Sequence, residues 1–222
     1  MLKAILFDLD MTLIDFMKMK SKASDAAAKA MVKAGLDMPV EKAKKRLFET
    51  YLEVGIESET VFQKFLKENN AYSERILAAA INAYLRTKYR HMKAYPDVAP
   101  TLKKIKEMGI KIAIVTDAPR LKAYQRLDIM GIADMFDAVV GFEDTGKTKP
   151  STLPFEKALT ILGVRPQEAM HVGDWPERDV LGARKLGIKT CLAKYGFHMG
   201  KYIKADYEIN SFKELLEVVK NA

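Results

Sequence analysis

The chain is expected to be an α/β protein in which a parallel sheet is flanked by helices and a helical module is inserted after the first strand. Three observations predict this. From Asp97 onward, short apolar runs alternate with stretches of helical period, the pattern of parallel strands joined through covering helices. Residues 16–93 depart from it, with helical periodicity and no convincing strand. The first apolar run also stops abruptly at Asp8-Leu9-Asp10-Met11-Thr12, as a strand does when it delivers polar groups to a site.

The expected strands are Ala4 to Phe7, Ile112 to Val115, Ala138 to Gly141, Ala169 to Val172 and Thr190 to Ala193, with a weaker one at Tyr207 to Ile209. Between them, Leu102, Ile105 and Met108 mark a helix closed by Gly109, and Leu127 and Met130 mark one ending near Gly131. Phe155, Leu159 and Leu162 precede Gly163 in the same way, and Val180, Ala183 and Leu186 precede Gly187; each glycine suits a left-handed helix C-cap. Phe212, Leu215, Leu216 and Val219 describe a last helix, opened by a capping box of Ser211 and Glu214. In the inserted module Leu47, Tyr51 and Val54, then Val61, Phe62, Phe65 and Leu66, fall at helical spacing. Its final helix is expected from about Glu74 to His91, with Ile76, Ala80, Ile81 and Tyr84 on one face. The resulting division is 1–15 with 94–222 as the core and 16–93 as the insertion, a lid candidate because it leaves the core just past Asp8.

At 222 residues there is room for one substantial core and a smaller module. Hydrophobic residues at 49% and charged residues at 30% support a packed core and argue against extended disorder. No apolar run approaches the roughly 18 residues of a membrane span, and Asp8 interrupts the first one before a signal-like segment forms. A single cysteine, Cys191, rules out an internal disulfide framework and a cysteine-ligated zinc site. A soluble protein of the reduced cytoplasm is therefore expected. The formal charge of +8 attracts anions, but the lysines are scattered along helices rather than clustered with aromatics, so a solvated basic surface is expected and no nucleic-acid partner.

Three strand ends carry the chemistry: Asp8 after the first, Thr116 after the second and Asp174 after the fourth, with Lys149 between the last two in sequence. Ligands of open parallel sheets bind beyond the carboxyl ends of the strands. Neighbouring strands lie about 4.8 Å apart, so side chains from adjacent ends can surround one small ligand. Clustered carboxylates repel unless they share a proton or a cation. Oxygen ligands without histidine or cysteine favour a hard cation, and magnesium is the usual one beside phosphate. Taken singly, each residue has an ordinary role: Asp8 and Asp10 a turn, Thr116 a cap before Pro119, Lys149 a loop lysine rivalled by Lys147, and Asp174 to Asp179 an acidic helix start. Their coincidence at strand ends favours one site.

In these residues the chain resembles, over nearly its whole length, the haloacid dehalogenase-like superfamily of aspartate-nucleophile phosphatases. Asp8-Leu9-Asp10-Met11-Thr12 is similar to its first motif and Val115-Thr116-Asp117-Ala118 to its second. Lys149-Pro150 followed by Phe155 is similar to the third, and Gly173-Asp174 with Asp179 to the fourth. The Tyr195-Gly196 loop and Ala205 to Ile209 resemble the usual ending, and residues 16–93 stand where the family's helical cap is inserted.

The resemblance implies a Rossmann-like core and a Mg²⁺-dependent phosphatase of small phosphomonoesters. Asp8 would be the nucleophile forming an aspartyl-phosphate. Asp10 would protonate the leaving oxygen and then activate water, its backbone carbonyl also binding the metal. Thr116 and Lys149 would complete the catalytic set; with Asp8 and Asp117 they would bind the phosphoryl group, and Lys149 would tether Asp8. Asp117 has capping of the next helix as its alternative role. Asp8, Asp10 and Asp174 would hold the metal, and Asp179 would orient a water or Lys149. His171, inside an apolar strand, is expected to be a packed histidine, and the Met and Phe residues of the insertion to form its own core. Met17, Lys18, Lys20 and Arg86 or Arg90 are candidates to face the substrate. Met11 departs from the family's usual glycine. The implied partner is a small phosphorylated metabolite, the chain acting as monomer or homodimer. Rival readings are a phosphomutase of the same family and a phosphate-ligand binding protein without catalysis. A dehalogenase is disfavoured because the family's dehalogenases lack the second aspartate that Asp10 supplies.

Overall fold

The computed structural model describes residues 1–197 and 200–222, and the chain divides into two compact units, Phe16–Met92 and Met1–Asp15 with Lys93–Ala222. The return to the larger unit thus falls at Lys93, one residue before the expected boundary.

The smaller unit is built from α1 (Phe16–Lys33), α2 (Val40–Val54), α3 (Val61–Glu68) and α4 (Glu74–His91). Its core gathers Met31, Leu47, Tyr51, Phe62, Phe65 and Leu66, so the periodic apolar positions do close on one another. Ile76 and Ala80 are buried on α4, but Ile81 is exposed. At 100° per residue, Ile81 lies about 140° around the helix from Ile76, off the buried stripe. Lys20 of α1 is buried among aromatics, its ammonium 3.9 Å from the Tyr51 ring centroid and donating to the Tyr84 hydroxyl at 2.8 Å.

The larger unit is a Rossmann-like α/β fold. Its strands are β1 (Ala4–Phe7), β2 (Lys111–Val115), β3 (Ala138–Val140), β4 (Ala169–Gly173), β5 (Lys189–Ala193) and β6 (Tyr207–Ile209). They form one sheet in the order β3-β2-β1-β4-β5-β6, every pair parallel. The helices are α5 (Val98–Glu107), α6 (Arg120–Ile129), α7 (Leu153–Leu162), α8 (Asp179–Arg184) and α9 (Leu215–Asn221).

Strand alternation splits the apolar residues between two faces. Ile5, Phe7, Ile112, Ile114, Met170 and Val172 pack with residues of α5, α6 and α9. Ala4, Leu6, Ala113, Val115 and Ala169 pack with Phe155, Leu159 and Leu162 of α7 and Ala183 of α8. Small residues on the second face let the large α7 side chains sit close. Both faces of the sheet are covered, as the near-continuous apolar strands require.

Two local expectations are corrected. The α8 helix ends at Arg184 instead of running to Gly187: the Leu186 and Gly187 amides donate to Ala183 and Arg184, three residues back, in a tighter turn. The capping box does not form either. Glu214 accepts from the Asn210 amide and from the Ser211 hydroxyl, both at 2.9 Å, and Ser211 makes no side-chain cap bond. The segment Phe212–Glu214 is a 3₁₀ turn ahead of α9.

Phe7 is wholly buried and meets Phe212 at 5.6 Å and Phe136 at 6.5 Å between ring centroids, tying the 3₁₀ turn ahead of α9 to the sheet. Phe7→Ala should cost about 3–5 kcal/mol, seen as a lower denaturant midpoint in equilibrium unfolding.

Candidate active site

The ladder itself carries the polar residues past the strands. The Asp8 amide donates to the Val172 carbonyl of β4 at 2.9 Å, and the Thr116 amide to Val140 of β3 at 3.0 Å. Asp8 therefore sits at the seam between β1 and β4, where the strand order reverses. Its loop then turns tightly: Met11 donates to the Ile14 carbonyl at 2.7 Å with φ of 64°. That left-handed conformation costs a residue with a Cβ about 1–2 kcal/mol, a strain that glycine would not carry. The Met11 side chain is buried, and the loop is held from β5, whose following Tyr195 hydroxyl donates to the Thr12 carbonyl at 2.7 Å.

Lys149 is the centre of the cluster. Its buried ammonium donates to Asp8 Oδ1 and to Asp179 Oδ1, each at 2.6 Å, whereas Lys147 is exposed. Asp179 is further fixed by the Trp175 amide at 2.9 Å on Oδ2 and by His171 Nε2 at 3.0 Å on Oδ1. An ionised Asp179 can only accept, so His171 carries its proton on Nε2. Phe155 stands edge-on to the His171 ring, 4.9 Å between centroids. His171 is thus packed, as expected, but it also braces the cluster.

Asp117 does not cap the next helix. Its carboxylate accepts the Lys149 amide at 2.8 Å and the Arg178 guanidinium at 3.1 Å, tying the second motif to the third and fourth. Arg178 in turn stacks 3.9 Å over the Trp175 ring. Thr116 is buried, and its Oγ1 accepts the Ala118 amide at 3.2 Å, keeping its own proton for another acceptor.

Carboxylate oxygens of Asp8, Asp174 and Asp179 come within 4.8 Å of one another. Thr12 Oγ1 lies between two of them, 3.5 Å from Asp8 Oδ2 and 3.4 Å from Asp174 Oδ1. Burial pushes Asp8 up to about 7, with the Asp179 charge adding and the Lys149 ammonium opposing. Burial and the Asp8 charge push Asp174 up to about 9. Asp179, despite burial, is held below the carboxylate range by Lys149 and His171. Burial alone would lower Lys149, but Asp179 and Asp8 raise it, so it stays charged. Three carboxylates against one ammonium leave two negative charges when all are ionised, and the donors are hard oxygens. Asp179 is taken up by Lys149, His171 and the Trp175 amide, so the excess charge falls on Asp8 and Asp174, whose hard oxygens fit one divalent cation.

Two residues stand here that the sequence did not single out. Thr12 appeared only as the end of a motif. Arg126 on α6 is buried and donates to Asp10 Oδ2 at 2.7 Å. Its signal was an arginine within the apolar stripe of Ala123, Leu127 and Met130.

A parallel α/β fold with an acidic cluster beyond its strand ends has the ligand site expected of open α/β sheets. The chain belongs to the haloacid dehalogenase-like hydrolase family, whose profile matches residues 5–193. It is 37% identical to the glyceraldehyde 3-phosphate phosphatase of Methanopyrus kandleri, over 99% of this chain and 98% of that one. To the protein of the same name from Methanocaldococcus jannaschii it is 33% identical, over 100% and 98%. The crystal structure of a HAD phosphatase from Thermococcus onnurineus matches with a TM-score of 0.67 at 27% identity, covering 98% of each chain. Among the described residues no helix is long and apolar enough to cross a membrane.

Two outcomes are expected. A Cβ at Gly173 would overlap the Asp179 carboxylate, so Gly173→Ala should destabilise by about 1–3 kcal/mol and cut turnover; melting and steady-state assays check both. In protein stripped of divalent ions, Asp8 and Asp174 hold protons more tightly folded than unfolded, their pKa values rising from 3.8 to about 7 and about 9. Their contribution to stability is therefore present at low pH and lost as pH rises between about 4 and 9. The melting temperature in EDTA should fall across that range, and added Mg²⁺ should reverse the fall at the alkaline end.

Proposed function

We propose that the chain is a cytoplasmic, Mg²⁺-dependent phosphatase of small phosphomonoesters that works through an aspartyl-phosphate on Asp8, and that its substrate is a three-carbon phosphate of the glyceraldehyde 3-phosphate type. The observation that carries the mechanism is Asp8 pinned by Lys149 at 2.6 Å at the end of β1, with Asp174 beside it. The substrate class is supported by two full-length relatives bearing that name. The same relatives are phosphatases, which favours hydrolysis over return of the phosphoryl group to a sugar.

Asp8 attacks phosphorus, a bond forms from its carboxylate oxygen, and the bond to the leaving oxygen breaks as Asp10 gives that oxygen a proton. Asp10, now a carboxylate, takes a proton from water as the water oxygen attacks phosphorus, and Asp8 is released. Lys149 spends two N–H groups on Asp8 and Asp179, leaving the third for a phosphoryl oxygen, which the Thr116 hydroxyl also meets. The Asp117 carboxylate is committed to Lys149 and Arg178, so a phosphate contact at this position falls to its backbone. Mg²⁺ held by Asp8, Asp174 and the Asp10 carbonyl would supply the positive charge that lets a carboxylate approach a phosphate. Asp179 stays with Lys149 and steadies it.

A panel of phosphomonoesters with Mg²⁺ is the test. Glyceraldehyde 3-phosphate should give the highest kcat/KM, EDTA should abolish turnover, and Asp8→Asn should lower kcat by at least ~10³-fold. Full activity in Asp8→Asn or in EDTA contradicts the mechanism; a different best ester corrects the substrate alone.

A further inference from the structure

The α6 helix carries an arginine where its pattern calls for an apolar side chain. Ala123 and Leu127 are wholly buried in the core between α6 and the sheet, and Arg126, on the same stripe, is only 2% exposed. A guanidinium in such a place is tolerated only against an anion. The anion is Asp10: Arg126 Nη1 donates to Asp10 Oδ2 at 2.7 Å, across 116 residues of sequence. Holding a helix to a sheet does not require this partner, since Leu or Met at the position would add apolar area instead. Asp10, moreover, sits on the loop that leaves β1, with its side chain 27% exposed against 3% for Arg126. Arg126 is anchored in the core, and the second Asp10 oxygen, Oδ1, is buried as well, not turned to solvent.

We propose that Arg126 is a positioning residue, clamping one carboxylate oxygen of Asp10 so that the other is aimed at the leaving oxygen. The inference rests on the reading of Asp10 as acid and base given above. A carboxylate on a loop samples several rotamers, and proton transfer works only within hydrogen-bond reach of the reacting oxygen. A planar guanidinium fixed in a helix removes that freedom, because its N–H groups leave in set directions. Arg126 itself touches neither substrate nor phosphorus.

The test compares two esters by kcat/KM, which reports the step through cleavage of the ester bond. One is p-nitrophenyl phosphate, whose phenolate leaves without help from an acid. The other is glyceraldehyde 3-phosphate, or the alkyl ester of the panel that the wild type turns over fastest. Arg126→Gln should lower kcat/KM on the alkyl ester by about 10- to 100-fold and on p-nitrophenyl phosphate much less. Arg126→Lys, which restores a cation without the planar fork, should recover only part of the loss and leave a deficit confined to the alkyl ester. In an Asp10→Asn background, Arg126→Gln should add nothing. Equal losses on the two esters, or a further loss in the Asp10→Asn background, would overturn the clamp and leave Arg126 a structural residue. If Arg126→Gln does not fold, Arg126→Lys decides alone: a loss confined to the alkyl ester supports the clamp, and no loss or an equal loss on both overturns it. The underlying reading fails separately, by Asp10→Asn remaining fully active on the alkyl ester.

Discussion

One buried ammonium holds the strand-end cluster together. Lys149 lies between Asp8 and Asp179 at 2.6 Å from each, with almost no access to water. A lysine so placed is costly unless its charge is matched, and the surrounding residues are arranged to match it and keep it still. The Asp117 carboxylate holds its amide, Arg178 holds Asp117, and the Trp175 ring supports Arg178. On the other side, His171 and the Trp175 amide hold Asp179. Gly173 is the point where Asp179 comes too close for any side chain. The three later motifs are thus one network whose product is a fixed position for a carboxylate at the end of β1.

The sheet makes this possible. With β1 between β2 and β4, residues just past three neighbouring strands fall within reach of one another, and parallel pairing points all three ends the same way. The ammonium cancels only part of the acidic charge. Burial and mutual repulsion therefore raise the proton affinity of Asp8 and Asp174, and a divalent cation would relieve that repulsion. Rigidity and charge imbalance are two sides of one design: the protein positions the acids and leaves their neutralisation to ligands.

Much of this was legible in the sequence, for physical reasons. The strands are short apolar runs that stop at polar residues, so the sequence puts Asp8, Thr116 and Asp174 just past strand ends, where β1, β2 and β4 do stop. Strand limits shifted by only a residue, as at Lys111 and Lys189. Errors arose where several hydrogen-bond patterns compete at small cost. Ser211 and Glu214 have the residue types of a capping box, yet Glu214 takes the preceding amide. Leu186 keeps helical spacing in a turn that has already tightened. Arg126 was missed because periodicity reads apolar residues, and a buried cation registers only as a gap in the stripe. The role of Met11 was likewise hidden, since composition cannot report a φ of 64°.

The central claim is that Asp8, held by Lys149, forms a covalent bond to phosphorus. Rapid acid quenching during turnover, followed by borohydride reduction and peptide mass spectrometry, addresses it directly. An acyl phosphate is reduced to an alcohol, so the account predicts that the peptide spanning Ile5 to Thr12 carries homoserine at position 8, dependent on substrate. An unmodified Asp8 in a sample caught during steady turnover, or a reduced residue elsewhere in the chain, would contradict it.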